Sequence, residues 1–427
     1  MRLSDRGEKM SQLSGIREIL QDIALATAGD DRNEWVDLGA GSPARIPEVL
    51  SAVTGFARTA VELDLDSSST AYGPSRGSSV LLDAIIEYFS SRFGWSLDRS
   101  NIVVGPGSQM LLFAATTVFT GPGPDGHKVL VLPCLPDYTG YQGLELDVNG
   151  VVGVAPEVCL LSNNMFRYAL DTDAVNARTD VGALLLSDPR NPTGDSLTAT
   201  EFDELLRIAE TKKVPLLVDH AYGEPFPKVA GSRALPRWHP NVVHFFTFSK
   251  FGIPGERLGF AIGPSPLIEP LCAFVSNTVL HGPQLFQAAT ARALRDGSVD
   301  DVVRDRITPH YEQKRRDAEA LLHDAFDDEF DWRLHVSEGG MFCWLWIREP
   351  WFQVGEFYQL LKTYKVCVVP GNNFFVLGDS SDVANDHAHQ CVRISLSRDV
   401  DTIARGIGLM VVALRTIRDR STDAGSE

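Results

Sequence analysis

The sequence predicts an α/β fold: a larger domain on a mainly parallel sheet covered on both faces, followed by a smaller α+β domain. Three observations predict it. Between about residues 100 and 260, short and almost wholly apolar runs alternate with helical patterns, as strands buried on both faces do. After about residue 300 the pattern gives way to a charged helix and separated strands. At 427 residues the chain also exceeds what a single simple core usually holds.

The strand candidates are residues 101–104, 128–132, 183–186, 214–218 and 242–246. An apolar helix is expected at 110–119. Thr198-Ala199-Thr200-Glu201 has the form of a capping box that opens a helix over 202–211. In the later region a charged helix over 311–325 precedes Gly339-Gly340-Met341-Phe342-Cys343-Trp344-Leu345-Trp346 and a strand over 391–395. The expected organisation is an arm and part of the smaller domain at 1–50, the larger domain at 51–300, and the smaller domain at 301–427. The polar end, residues 418–427, is expected to fray.

Composition narrows the function classes. A formal net charge of -17 argues against a nucleic-acid surface, which needs clustered Lys and Arg. No run approaches the roughly 20 apolar residues that cross a bilayer, and the opening residues carry no signal-like apolar segment. The six cysteines lie far apart, as reduced core residues of a cytoplasmic protein do. His387 and His389 have no carboxylate or cysteine set beside them, so no metal is expected.

The chemistry lies just after the strand candidates, where open α/β sheets place their ligands. Lys250 follows the run 242–246 in Thr247-Phe248-Ser249-Lys250, and Arg257 comes seven residues later. Asn191-Pro192-Thr193-Gly194 follows 183–186, and Asp219-His220-Ala221-Tyr222 follows 214–218. These residue types meet the demands of pyridoxal 5′-phosphate: an amine for the Schiff base, an anion at the ring nitrogen, donors at the phenolate oxygen and a phosphate cradle. Lys250 supplies the first and Asp219 the second, while Asn191 and Tyr222 donate to the phenolate. Arg257, Ser249 and Thr247 suit the phosphate. Gly107-Ser108-Gln109 opens the 110–119 helix with amides that face an anion. Tyr138, in Pro136-Asp137-Tyr138-Thr139-Gly140-Tyr141, is placed to stack on the ring.

The ordered set resembles the fold-type I pyridoxal-phosphate enzymes of aminotransferase class I/II, over nearly the whole length. It is most similar to valine–pyruvate aminotransferases in Asn191 to Gly194, in Asp219-His220-Ala221-Tyr222-Gly223-Glu224-Pro225-Phe226-Pro227 and in Ser249 to Arg257. The resemblance implies a seven-stranded-type sheet and transfer of an amino group between a small or aliphatic L-amino acid and a 2-oxo acid by ping-pong chemistry. It further implies that Arg393 clamps the substrate carboxylate with help from the backbone of Gly41. Tyr72, in Ala71-Tyr72-Gly73-Pro74, would reach the cofactor phosphate of a neighbouring subunit, which implies a homodimer with shared active sites.

Three residues depart from the valine–pyruvate pattern: Arg45, Arg190 and Glu256. Arg45 and Arg190 flank predicted ligand loops, so they are expected to read an extra anionic group on a larger or more charged substrate. The alternative chemistry for the same site is β- or γ-elimination, replacement or cyclising carbon–carbon bond formation on an activated amino acid such as S-adenosylmethionine.

Overall fold

The computed structural model describes residues 2–11, 16–26, 28, 32–147, 149–231, 235–376 and 382–424. Its central element is a sheet whose strands lie in the order Ile102–Gly105, Gly259–Ile262, Val242–Thr247, Leu216–Asp219, Val181–Ser187 and Gly126–Leu132. Two short strands, Val151–Gly153 and Gly121–Gly123, both pair with Gly126–Leu132. Every expected apolar run in 100–260 is a strand of this sheet.

The pairings from Val242–Thr247 through Leu216–Asp219 and Val181–Ser187 to Gly126–Leu132 are parallel. Gly259–Ile262 alone is antiparallel to both its neighbours, so Ile102–Gly105 points the same way as the parallel set. All the carboxyl ends therefore share one edge. The reversed strand begins at that edge, which brings the preceding Arg257 there too. Both faces of the sheet are covered: in one strand Val243 and Phe245 enter one core cluster and Phe246 another.

The crossover helix Ala199–Lys212 starts with the expected capping box: the Glu201 N–H donates to Thr198 Oγ1 at 3.2 Å, and the Thr198 N–H to Glu201 Oε2 at 2.8 Å. The helix Ser108–Phe119 follows Gly107, whose φ of 88° suits a residue without a side chain.

A second sheet runs in the order Val369–Pro370, Cys391–Ser395, Phe342–Ile347, Trp332–His335, Met165–Ala169 and Glu157–Leu160. Its last two strands form a hairpin within the 51–300 range, yet the hairpin pairs with Trp332–His335 through Met165–Ala169. The N-terminal segment joins the same region: Val36–Asp37 pairs in parallel with Val366–Cys367, and the Ser395 N–H donates to Leu38 O at 2.7 Å. That contact sets the loop 38–41 beside the strand that carries Arg393.

The polar end differs from expectation. Residues up to Ala424 continue the helix Val400–Ala424; Ile417 is buried, and Arg415 and Arg418 both pair with Glu329. Residues 425–427 lie outside the described residues. Among the described residues no helix is long and apolar enough to cross a membrane.

Candidate active site

At the shared strand edge a cavity of about 170 Å³ is lined by Ser108, Gln109, Tyr138, Asp219, Tyr222, Thr247, Ser249, Lys250 and Arg257, all named from the sequence. Four separate strand-end loops supply them, which explains why residues so distant in the chain converge.

Lys250 sits at the centre. Its Nζ donates to Gly41 O at 2.6 Å and lies 5.5 Å from the Tyr222 ring centroid. Burial pulls its pKa down to about 8; the Arg393 and Arg257 charges act in the same direction, and Asp219 opposes them. Asp219 is buried, and burial pushes its carboxyl up to about 6 against hydrogen bonds from Tyr141 and the Ala221 amide. Tyr141 Oη donates to Asp219 Oδ2 at 3.0 Å and the Ala221 N–H to Oδ1 at 3.1 Å, fixing the carboxylate plane.

Asn191 lies beside the cavity and links two of the expected contacts. Its Nδ2 donates to Tyr222 Oη at 3.2 Å, and its Oδ1 accepts from Arg393 Nη1 at 3.3 Å. Arg393 is 1% exposed and makes no ion pair among the described residues, although the more distant Asp37 charge acts on it. Its guanidinium carbon lies 4.0 Å from the Phe342 ring centroid and 5.1 Å from that of Phe374. Nη2 donates to Gly39 O at 2.9 Å, while Nε is buried without a hydrogen-bond partner. Burial pulls this guanidinium down to about 10. A buried cation with an unused donor is costly unless something anionic completes it.

At the other end, Arg257 Nη1 donates to Ser249 Oγ at 3.2 Å, and Thr247 Oγ1 donates to the same oxygen at 3.0 Å. A Cβ at Gly107 would lie 2.5 Å from Arg257 Nη2, and one at Gly259 would lie 2.7 Å from the Ser108 amide nitrogen. Glycine at both places keeps open the space between a helix N-terminus and a guanidinium, an arrangement suited to a phosphate. This cradle, the half-buried amine, the carboxylate at the floor and the unfilled Arg393 donor together fit pyridoxal 5′-phosphate carrying an amino acid.

Among the expected residues that do not line the cavity, two are exposed. Tyr72 is 86% exposed and meets the His281 ring edge-on at 6.0 Å, while Arg45 is exposed. The expectation for Arg190 is corrected. It is buried and forked onto Asp195, with Nε donating to Oδ1 at 2.9 Å, Nη2 to Oδ2 and Nη1 to Cys134 Sγ. Its charge is already answered inside the protein, so it does not read a substrate anion.

Sequence reasoning missed Tyr141, Ser187, Ala221 and Pro254 in the cavity wall. Tyr141 carried a usable signal: it stands three residues after Tyr138, and in the short 3-10 turn Thr139–Gly143 that spacing stacks side chains on one side. The two rings meet edge-to-face at 5.2 Å.

Residues 33–408 match the family described as aminotransferase class I and II. Valine–pyruvate aminotransferase of Escherichia coli (strain K12) is 29% identical over 408 residues, covering 95% of this chain and 96% of that one. The crystal structure of a putative amino-acid aminotransferase from Psychrobacter arcticum 273-4 matches with a TM-score of 0.92 at 28% identity, covering 98% of this chain and 99% of that one. The crystal structure of valine-pyruvate aminotransferase from Salmonella typhimurium LT2 matches with a TM-score of 0.85 at 27% identity, covering 95% and 100%.

Proposed function

The chain belongs to the class I and II aminotransferases, and we propose that it moves an amino group between a small or aliphatic L-amino acid and a 2-oxo acid of the pyruvate type. As a member of that family it is an enzyme that uses pyridoxal 5′-phosphate. When bound, the cofactor withdraws electrons from the substrate Cα and carries the amino group from one acid to the next.

The chain's own residues divide the remaining work. Lys250 supplies the amine that attaches the cofactor, and once released it moves the proton at Cα as general base and acid. Asp219 holds the proton on the ring nitrogen. Tyr222 and Asn191 donate to the phenolate oxygen, while Tyr138 covers the ring and excludes water. Arg257, Ser249, Thr247 and the amides of Ser108 and Gln109 hold the phosphate, with Gly107 keeping their approach open. Arg393 and the Gly41 backbone orient the substrate carboxylate.

The observation that carries this reading is Arg393, buried, short of an anion and within electrostatic reach of Lys250. The similarity to valine–pyruvate aminotransferases supports the substrate class. Exposed Tyr72, packed against His281, whose sequence neighbour Leu280 is also exposed, supports a homodimer in which Tyr72 reaches the partner's phosphate. We divide the chain into 1–50, 51–300 and 301–427, and assign the 157–169 hairpin to the smaller domain because it pairs in that sheet. Free cysteines fit a cytoplasmic enzyme.

Mixing the loaded enzyme with single L-amino acids and no oxo acid tests the reading. Valine or alanine should yield stoichiometric pyridoxamine phosphate and 2-oxo acid, and borohydride should fix the cofactor onto Lys250. An unsaturated or cyclised product, with the cofactor still an aldehyde, would replace transamination by the elimination or cyclisation chemistry.

A further inference from the structure

Below the cavity lies a polar cluster that none of the expected cofactor contacts uses. Asp137 is 1% exposed and accepts hydrogen bonds from the Tyr138 N–H at 2.6 Å, from the Ser187 N–H at 3.1 Å and from Ser187 Oγ. Ser187 Oγ in turn accepts the Asn191 N–H at 3.2 Å. One carboxylate thus joins the loop that carries Tyr138, the end of the strand Val181–Ser187 and the loop that carries Asn191. Arg190 reaches the same loop through Cys134 while forked onto Asp195.

We propose that Asp137, with the buried Arg190–Asp195 pair beside it, is a positioning unit that fixes Tyr138 and Asn191 against the cofactor through Ser187. The inference rests on the reading above, in which those two residues touch the cofactor. An ionised carboxylate is acceptor-only, and all three of its contacts are donors, so the geometry is satisfied by the charged form. Burial pushes Asp137 up to about 7, the Ser187 and Tyr138 hydrogen bonds hold it down, and the Arg190 charge adds to them. The other ionisable groups facing this unit are Asp188, Cys134, Tyr141, Tyr168 and His335. Arg190 thereby acquires a role unlike the one its place beside Asn191 suggests: forked onto Asp195, it adds its charge to the Ser187 and Tyr138 hydrogen bonds that hold Asp137 down.

Asp137→Asn keeps the shape but turns one acceptor into a donor facing donors. Cofactor affinity, read by fluorescence quenching on adding pyridoxal 5′-phosphate to the cofactor-free protein, should fall about tenfold. The visible circular dichroism of bound cofactor, which reports how the ring is held, should weaken. Ser187→Ala, which leaves the carboxylate in place and cuts its link to Asn191, should produce a smaller loss of the same kind. The double variant should be no worse than Asp137→Asn alone, because both act through one path. Wild-type affinity and dichroism in Asp137→Asn would overturn the proposal. If that variant does not fold, unchanged values in Ser187→Ala would overturn it instead. An Asn191→Ala variant with unaltered cofactor affinity and dichroism would locate the failure in the site reading rather than in the positioning unit.

Discussion

Arg393 and Arg190 are both buried, at 1% and 4% exposure, and differ in what answers their charge. Arg190 has a bidentate carboxylate, which drives its pKa well above the ordinary arginine value despite burial. Arg393 has two phenylalanine faces, a backbone oxygen and an amide oxygen, and burial pulls it down to about 10. Charge type and burial alone do not separate the two. The internal counter-ion does: a satisfied buried cation is scaffold, and an unsatisfied one awaits a ligand.

The largest expected effect lies on the ligand side. Lys250→Ala should lower transamination by roughly 10²–10⁴-fold, the usual contribution of a general base, with loss of the borohydride-fixed cofactor. Next comes the scaffold. Arg190→Met strands the Asp195 charge and should cost about 3–5 kcal/mol in denaturant unfolding, as removal of one partner of a buried pair does. Arg393→Met should leave unfolding nearly unchanged or raise it, since an unmatched charge disappears, while kcat/KM for the amino donor falls about tenfold or more. Equal stability losses in the two arginine variants would break the distinction.

Asp219 and Lys250 sharpen it through pH. Cofactor attachment to the cofactor-free protein needs Asp219 ionised and Lys250 neutral, and both forms grow as pH rises. The attachment rate should therefore climb through about 6 for Asp219 and again through about 8 for Lys250, then level off. Asp219→Asn should erase the lower step and keep the upper one. A single step surviving at about 6 in that variant would show that another group controls it.

Much of this was legible in the sequence because strand ends announce themselves. Asn191, Asp219 and Lys250 each follow an apolar run, and parallel strands must deliver such residues to one edge. The reversed strand Gly259–Ile262 was not legible: four apolar residues have no period to read, and only pairing with both Val242–Thr247 and Ile102–Gly105 reveals its direction. The 157–169 hairpin escaped for a related reason, since its partner lies more than 160 residues away. Arg190 shows the sharper limit. A sequence displays an arginine beside a ligand loop, but only the fold displays Asp195 forked against it. The link between Asp137 and Ser187 was not legible for the same reason, since the two lie 50 residues apart.

Arg45 extends the comparison to a cation that is neither buried nor paired. It is exposed and makes no ion pair among the described residues, so its loss removes no packing and strands no partner. Arg45→Gln should shift unfolding by no more than about 0.5 kcal/mol, the usual range for surface changes. With valine as donor, kcat/KM should stay within about twofold, because solvent screens an exposed charge from a neutral side chain. The informative arm uses donors with acidic side chains. If Arg45→Gln lowers kcat/KM tenfold for such a donor and leaves valine untouched, Arg45 reads a second carboxylate at the cavity mouth. The substrate class would then move from aliphatic to acidic amino acids, although the cofactor assignment would stand.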